Sequence, residues 1–319
     1  MSERRLMRAA LSSFLLVMTM VLIALGVSSA SAQQRQRRVS ASQSNKSLTI
    51  RTEANAIVWL DEIRRGTTDT SGLLRIEKIT PGRHTLRVRA SGFREKVQTL
   101  LPNARGQINV KLIPTTDEGE LLFQQAETAR EKARDDDARR AAVELYRQAL
   151  AKRPRQAAAH VGLARLLSEL NDYDAALDEI DRARKLRPVY PEASAVEGRI
   201  LRADADNEGA MAAFRRSIRE ARGFQPEAHT GLALLLEEKG RNEEAVAEFR
   251  KALAQLSDTE PVVYQLLGAL YEKMENYKEA VAAYEKYLEL APEGNLAPAV
   301  RSIIDQLRRQ AAEQASPSN

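Results

Sequence analysis

The hydrophobic positions follow two different periods along this chain. From Leu48 to Leu112 apolar residues alternate with polar ones, as Leu86 and Val88 do with Arg87. A period of two is typical of strands with one buried face and one solvated face. Beyond Thr115 the apolar period is close to 3.6, which indicates amphipathic helices. The pattern therefore predicts a small antiparallel β-sandwich followed by an all-α segment.

The helical segment also repeats itself, five times, at a spacing of 34 or 35 residues. In each repeat a small residue is followed four positions later by a large apolar one, and three positions after that by a third packing residue. These positions are Ala142, Ala176, Ala210, Ala245 and Ala280, then Tyr146, Ile180, Phe214, Phe249 and Tyr284, then Ala149, Ala183, Ser217, Ala252 and Tyr287. Pro154, Pro188 and Pro292 end three of the repeats.

This register resembles the tetratricopeptide repeat (TPR). The resemblance implies antiparallel helix pairs that stack into a superhelical solenoid over residues 117–292. The five repeats are traced at about 118–154, 155–190, 191–225, 226–260 and 261–292. The third and fourth lack the proline, which predicts looser junctions or a longer helix there. Apolar residues in 293–314 predict a capping helix, and 315–319 is predicted to be a disordered tail.

Residues 47–114 carry a second resemblance, in the strand ends and turns. The matching positions are Val58-Trp59-Leu60-Asp61, Gly66, Thr68, Gly72, Pro81-Gly82, Leu86, Val88 and Gly92-Phe93. The segment resembles the PEGA domain and, nearly as closely, the carboxypeptidase regulatory-like domain. Either family implies a small extracytoplasmic β-sandwich without catalysis.

The first 32 residues are typical of a secretory signal peptide. Its basic start contains Arg4, Arg5 and Arg8, and its apolar stretch runs from Phe14 to Val27. The small residues Ala30-Ser31-Ala32 precede the cleavage site. Cleavage between Ala32 and Gln33 would release a bacterial periplasmic or secreted protein. The alternative is an uncleaved helix in the inner membrane, because the apolar run from Ala9 approaches the roughly 20 residues that span a bilayer. Residues 33–46 are polar and basic, which predicts a flexible linker.

Composition narrows the possible chemistry. The 319 residues include no cysteine and three histidines, so disulfides, thiol nucleophiles and cysteine zinc sites are excluded. His160 and His229 occupy the same position in their repeats, which favours packing between helices over metal binding. No phosphate-binding loop or nucleophile motif is present. We therefore expect a protein that is not an enzyme and uses no cofactor or metal.

The net charge changes sign near residue 115, where the hydrophobic period also changes. Residues 33–115 hold 16 basic and 6 acidic residues, and residues 116–319 hold 30 and 37. Arg75, Arg87 and Arg89 would form one basic face if a hairpin at Pro81-Gly82 joined their strands. We hypothesise that this face contacts an acidic surface, such as the second domain; the alternative is a solvated edge. Nucleic acid is an unfavourable partner, because the basic segment lacks stacking aromatic residues.

The TPR resemblance implies a concave groove, lined by the first helix of each pair, that binds a protein or peptide partner. The groove positions are Glu127, Glu131, Arg134, Val161, Arg165, Glu169, Arg199, Arg202, Thr230, Leu234, Glu237, Gln265, Glu272 and Lys273. Arginines make the predicted groove basic in its middle and glutamates make it acidic at its far end. This pattern predicts a polar ligand segment of complementary charge, or else residues that only keep the surface soluble.

The sequence therefore predicts a non-enzymatic exported scaffold or adaptor that holds its partner in the groove. In one alternative, the basic β face binds anionic glycan or lipid of the envelope matrix. In another, the protein is an accessory subunit of an envelope-assembly or export machine. A membrane contact is expected only if the signal is uncleaved.

Overall fold

The computed structural model describes residues 46–61, 63–79, 82–256 and 258–315. Strands occupy the first part of this range and helices the second. The predicted signal peptide, its cleavage site at Ala32 and Gln33, and residues 33–45 of the predicted linker lie outside the described residues, as do residues 316–319.

The strands form two facing sheets around one core. Their bounds are β1 Lys46–Arg51, β2 Ile57–Leu60, β3 Ile63–Thr67, β4 Leu73–Ile79, β5 His84–Arg89, β6 Phe93–Arg94, β7 Lys96–Leu100, β8 Gly106–Asn109 and β9 Ile113–Pro114. One sheet has the order β4-β1-β8, the other has the order β3-β2-β5-β7, and β6 pairs with β9. Ile50 and Ile76 of the first sheet pack with Val58, Leu86 and Val88 of the second. The alternating residues are thus buried as the hydrophobic period predicts.

The sandwich differs from the prediction in the direction of one strand pair. β1 and β8 run parallel, with Leu48 opposite Gly106 and Ile50 opposite Ile108. The other pairs among the described strands are antiparallel. A period of two identifies the buried face of a strand but carries no information on the direction of its neighbour.

The helices form five antiparallel pairs and a terminal helix. Their bounds are α1 Glu118–Lys132, α2 Asp136–Lys152, α3 Ala157–Glu169, α4 Tyr173–Leu186, α5 Pro191–Ala203, α6 Asn207–Glu220, α7 Pro226–Glu238, α8 Asn242–Gln255, α9 Pro261–Lys273, α10 Tyr277–Leu290 and α11 Ala297–Ala315. Each pair also packs on the next, and α11 packs on α10 with Val300, Ile304 and Leu307 buried. The last helix includes Ala315, which the sequence assigned to the tail.

Small and large residues alternate in the interior of the solenoid. Tyr146 and Phe214 are fully buried, and each lies against a glycine of the following first helix. A methyl group on Gly162 would come within 2.5 Å of the Tyr146 ring, and one on Gly231 within 2.3 Å of the Phe214 ring. Close approach of successive pairs therefore requires glycine at these positions.

The two junctions without proline contain longer loops and not longer helices. α6 and α8 have 14 residues, as do α4 and α10. Residues 221–225 and 256–260 connect the repeats there, one residue more than in 153–156 and 187–190. This extra residue accounts for the change of repeat spacing from 34 to 35, and it corrects the prediction of a longer helix.

Among the helices of the described residues, none combines the length and the apolar character that crossing a bilayer requires.

The contact between Gly231 and Phe214 yields a stability prediction. Alanine at 231 favours the helix by about 1 kcal/mol, but overpacking a core costs roughly 1–3 kcal/mol. We expect Gly231→Ala to lower the free energy of unfolding in urea, and to be less harmful when Phe214→Leu first removes ring atoms. Equal effects of Gly231→Ala in both backgrounds would contradict this account.

Candidate functional site

The β domain docks on the first helix pair of the solenoid through polar contacts. Arg89 of β5 donates from Nη1 to Oε2 of Glu127 in α1 over 3.2 Å. The Gln124 side chain accepts from the backbone N–H of Gly92 at 3.0 Å and donates to the carbonyl oxygen of Phe93 at 2.7 Å. These contacts hold the sheet β3-β2-β5-β7 against α1.

A second, more exposed ion pair joins the same two parts of the molecule. Arg64 of β3 lies 2.9 Å from Glu131, and the two side chains are 45% and 34% exposed. Glu127 and Glu131 were both assigned by the sequence to partner binding. In the structure they bind arginines of the chain's own β domain.

Glu127 is the most densely contacted acid of this joint. Its carboxylate accepts a hydrogen bond from the Tyr146 hydroxyl and lies 3.6 Å from Arg130. Burial would raise the pKa of Glu127, but Arg89 and Arg130 keep it below its usual value. Burial and the neighbouring carboxylate raise the pKa of Tyr146. The joint therefore holds a charged carboxylate next to a neutral phenol.

Of the three arginines predicted to form one basic face, Arg87 and Arg89 lie together beside Trp59 and Glu95, whereas Arg75 lies in the other sheet. β4, which carries Arg75, pairs with β1, whereas β5 pairs with β2 and β7. The chain between β4 and β5 thus connects the two sheets, and the hairpin predicted there is corrected. Arg75 is exposed beside Glu77 at 3.2 Å, and the Arg87 guanidinium stacks 4.4 Å from the centre of the Trp59 ring. Arg89 contacts the acidic second domain through Glu127.

A large cleft opens beyond the joint, between the β domain and the middle of the solenoid. Its volume is about 1180 Å³. Asp61 and the segment from Gly82 to Thr85, which includes the start of β5, form one wall. Helices α5 and α7 and the loops before α7 and α9 form the other. Because the Arg89–Glu127 pair determines where the sheet lies, it also determines the width of this cleft.

Four predicted groove residues line the cleft: Arg199, Arg202, Thr230 and Leu234. They come from the first helices α5 and α7, which contact each other directly. Leu234 is half-buried and offers an apolar contact, while the Thr230 hydroxyl donates to the carbonyl oxygen of Pro226 at 2.9 Å. The repeat register in the sequence thus predicted correctly which helices line the cleft.

The other predicted groove residues do not line the cleft, and most lie on other first helices of the solenoid. Val161 is 1% exposed and belongs to the core. Arg134 follows α1 and donates to the carbonyl oxygens of Glu131 and Ala133. Glu169 accepts from Arg139 at 3.2 Å, and Glu272 accepts from the Tyr284 hydroxyl at 3.1 Å. The remaining residues outside the cleft lining are Arg165, Glu237, Gln265 and Lys273.

Most charges of the predicted basic middle and acidic end of the groove are neutralised by ion pairs. Arg165 lies 3.1 Å from Glu192, Arg199 lies 2.9 Å from Glu227, and Arg202 lies 2.7 Å from Glu238. Farther along, Lys273 lies 3.4 Å from Glu237. Each pair joins one repeat to the next. The expectation that all of these charges face a ligand is therefore corrected.

Glu227 lies beside two arginines, 2.9 Å from Arg199 and 3.9 Å from Arg165. Burial would raise the pKa of its carboxyl, but Arg199 and Arg165 keep the pKa below its usual value. The carboxylate is therefore charged, and both neighbouring arginines contribute to that charge state. The charge of Glu227 is therefore already balanced by its own arginines, without a ligand.

Several cleft residues escaped prediction from the sequence. Phe224 and Leu256 line the cleft from the junctions before α7 and α9, where the terminal proline is missing. The missing proline and the spacing of 35 residues were the features of the sequence that could have identified these two residues. His84 opens β5 with Nδ1 2.5 Å from Asp61 Oδ2, and both residues line the cleft. No repeat register applies to the β domain, so this pair required the tertiary structure.

The two histidines of the repeats are buried between the helices of their pairs. Nδ1 of His160 lies 2.6 Å from Glu179, and Nδ1 of His229 lies 2.5 Å from Glu248. Each Nε2 lies 3.2 Å from a backbone carbonyl oxygen. The prediction of packing between helices is confirmed. In the part of the chain that the structure describes, no cluster of histidine and carboxylate side chains could hold a metal ion.

Comparison with known proteins identifies the repeats. Residues 133–200 and 224–293 match family models described as tetratricopeptide repeat. A search of curated proteins found no match.

Solved structures show the same fold. A thermophilic TPR protein of Thermus thermophilus is 24% identical, with 59% of this chain and 98% of that chain covered and a TM-score of 0.50. PilF of Pseudomonas aeruginosa is 18% identical, with 61% and 87% covered and a TM-score of 0.51. The predicted repeats and the solenoid are thus confirmed. Such repeats are in general non-catalytic scaffolds for protein interaction, and no enzyme family is indicated.

The joint between β domain and solenoid yields a second prediction. Arg89→Met leaves the largely buried Glu127 without its nearest arginine. Removing one member of a buried pair costs roughly 3–5 kcal/mol, and we expect the lower end of this range because Arg130 and Tyr146 remain beside Glu127. Arg64→Met removes an exposed pair and should cost less than about 1 kcal/mol. We expect a clearly lower urea midpoint for the first variant only. Equal midpoints for the two variants would contradict a special role of Arg89.

Proposed function

We propose that this protein, whose residues 133–200 and 224–293 are tetratricopeptide repeats, is an exported, non-enzymatic adaptor. It would bind a peptide segment of a protein partner in the cleft between its β domain and α5 and α7. The observation that carries this proposal is the cleft itself. It has a volume of about 1180 Å³, and its lining combines apolar residues with polar groups held in ion pairs.

The walls of the cleft suit a peptide. Phe224, Leu234 and Leu256 offer apolar surface for side chains, and the paired residues of α5 and α7 offer polar contacts at the rim. Peptide recognition commonly combines such apolar anchors with polar positioning groups. We infer that the repeats supply most of the binding surface.

The β domain acts in this proposal as a fixed wall and not as a separate membrane-binding module. Arg89 is directed into the molecule toward Glu95 and Glu127, at 2.7 and 3.2 Å. Arg75 lies in the other sheet. Binding of anionic envelope surfaces by a basic β face has no support from this arrangement. The resemblance of residues 47–114 to the PEGA domain remains a prediction from the sequence.

Binding through the cleft can be tested with one substitution on its floor. Leu234→Glu introduces a charge onto half-buried apolar surface, whereas Ala247→Glu introduces the same charge on an exposed face of α8. The measurement is quantitative mass spectrometry of proteins that co-purify with each full chain from the native host. We expect at least one partner to decrease tenfold or more with Leu234→Glu and to persist with Ala247→Glu. Retention of every partner by the Leu234 variant would exclude the cleft.

Export rests on the N-terminal pattern and needs its own test. We expect the exported fraction to contain a chain that starts at Gln33, as read by N-terminal sequencing. Ala32→Gln should block the cut, and Ser31→Gln is the matched control. A chain in membranes that begins with residues 1–32 intact would favour the anchored alternative and leave the peptide-binding proposal untouched.

A further inference from the structure

Three charged side chains of the cleft have no partner of opposite charge in the described part of the chain. Arg83 is exposed in the loop before β5, and Arg187 is exposed at the start of the loop before α5. The Arg187 guanidinium stacks 4.4 Å from the centre of the Tyr190 ring, a contact that supplies no negative charge. Glu260 is half-buried at the N-cap of α9, where its side chain makes no capping hydrogen bond.

These three residues differ from the other charges of the cleft. Arg199 with Glu227 and Arg202 with Glu238 form ion pairs between neighbouring repeats. A charged ligand group near such a pair is attracted by one member and repelled by the other. The pair therefore discriminates weakly between positive and negative ligand groups. An uncompensated charge beside apolar surface selects strongly, because the wrong sign costs desolvation without any attraction.

The order of the repeats separates the unpaired charges along the cleft. Arg187 precedes α5, Phe224 precedes α7, and Glu260 precedes α9. Neighbouring packed helices lie roughly 8–10 Å apart, so two repeat steps correspond to about 20 Å. An extended chain rises about 3.3 Å per residue, and this span therefore equals about six residues.

Between the two charged ends the lining combines apolar residues with the ion pairs of α5 and α7. Phe224, Leu256 and Val263 belong to the junctions and to the start of α9, and Leu234 lies on α7. Arg83 adds a second cation from the opposite wall. The cleft thus presents a basic end, a middle of apolar residues and ion pairs, and an acidic end to whatever occupies it.

We propose that the cleft selects an extended peptide segment in which an acidic and a basic residue stand about six positions apart, with apolar side chains between them. The acidic residue lies toward Arg187 and the basic residue toward Glu260. This inference rests on the proposed function, since it names the chemistry of the peptide that the cleft binds.

Selection from a displayed library of random twelve-residue peptides tests this pattern. The targets are the full chain and its variants Glu260→Arg and Arg187→Glu. Glu243→Arg, on exposed α8 surface, and Arg155→Glu, in an exposed loop, are matched controls. Leu234→Glu identifies which enriched peptides depend on the cleft, and circular dichroism checks that each variant is folded.

We expect cleft-dependent peptides to carry an acid and a base about six positions apart. Glu260→Arg should replace the preferred base with an acid, and Arg187→Glu should replace the preferred acid with a base, each with at least a tenfold change in preference. The controls should leave the pattern unchanged. Cleft-dependent peptides without the charge pattern, or with a pattern that neither variant alters, would overturn this inference and leave the proposed function intact. Failure to enrich any Leu234-dependent peptide would count against both.

Discussion

The placement of the β domain depends on one buried ion pair, Arg89 with Glu127. Moving two charges out of water is costly, and the cost is recovered only when the remaining hydrogen-bonding capacity is satisfied. Here Glu95 and Tyr146 supply that capacity, the first at 2.9 Å from Arg89 Nε and the second by donating its hydroxyl to Glu127. Opening the pair would leave Glu127 with only Arg130 and Tyr146 and Arg89 with only Glu95, so the closed pair favours one position of the sheet. The cleft exists because the sheet is held there and extends past the first repeat toward α5 and α7.

The solenoid uses charge in a different way. Its repeats are joined by ion pairs such as Arg165 with Glu192 and Arg199 with Glu227, at the surface of an apolar core. Pairs that are partly exposed add little to stability individually. Their consequence lies in recognition, because they remove most of the charge from the groove. A partner therefore meets the few charges left over, together with the apolar residues of the junctions.

The junctions illustrate how a departure from a repeat pattern can create a site. The regular junctions contain four residues, and those before α7 and α9 contain five. Without a terminal proline the chain continues past the helix into a longer loop, and Arg222 and Asp258 adopt positive φ angles there. Phe224 and Leu256 then reach the cleft. The same one-residue change is visible in the sequence as a spacing of 35 in place of 34, although its effect on the cleft is not.

Local periodicity by itself determined the division into strands and helices, the five repeats, and the first helices that carry Arg199, Arg202, Thr230 and Leu234. These features follow from contacts between residues close in sequence or from a repeated register, and both leave a periodic trace. Only the tertiary structure decided that β4 and β5 belong to different sheets, that β1 and β8 run parallel, and that Glu127 and Glu131 bind the β domain. It also decided that most groove charges are paired. These outcomes depend on which surfaces meet across long stretches of chain, and hydrophobic alternation specifies the buried face of an element but not the neighbour that covers it.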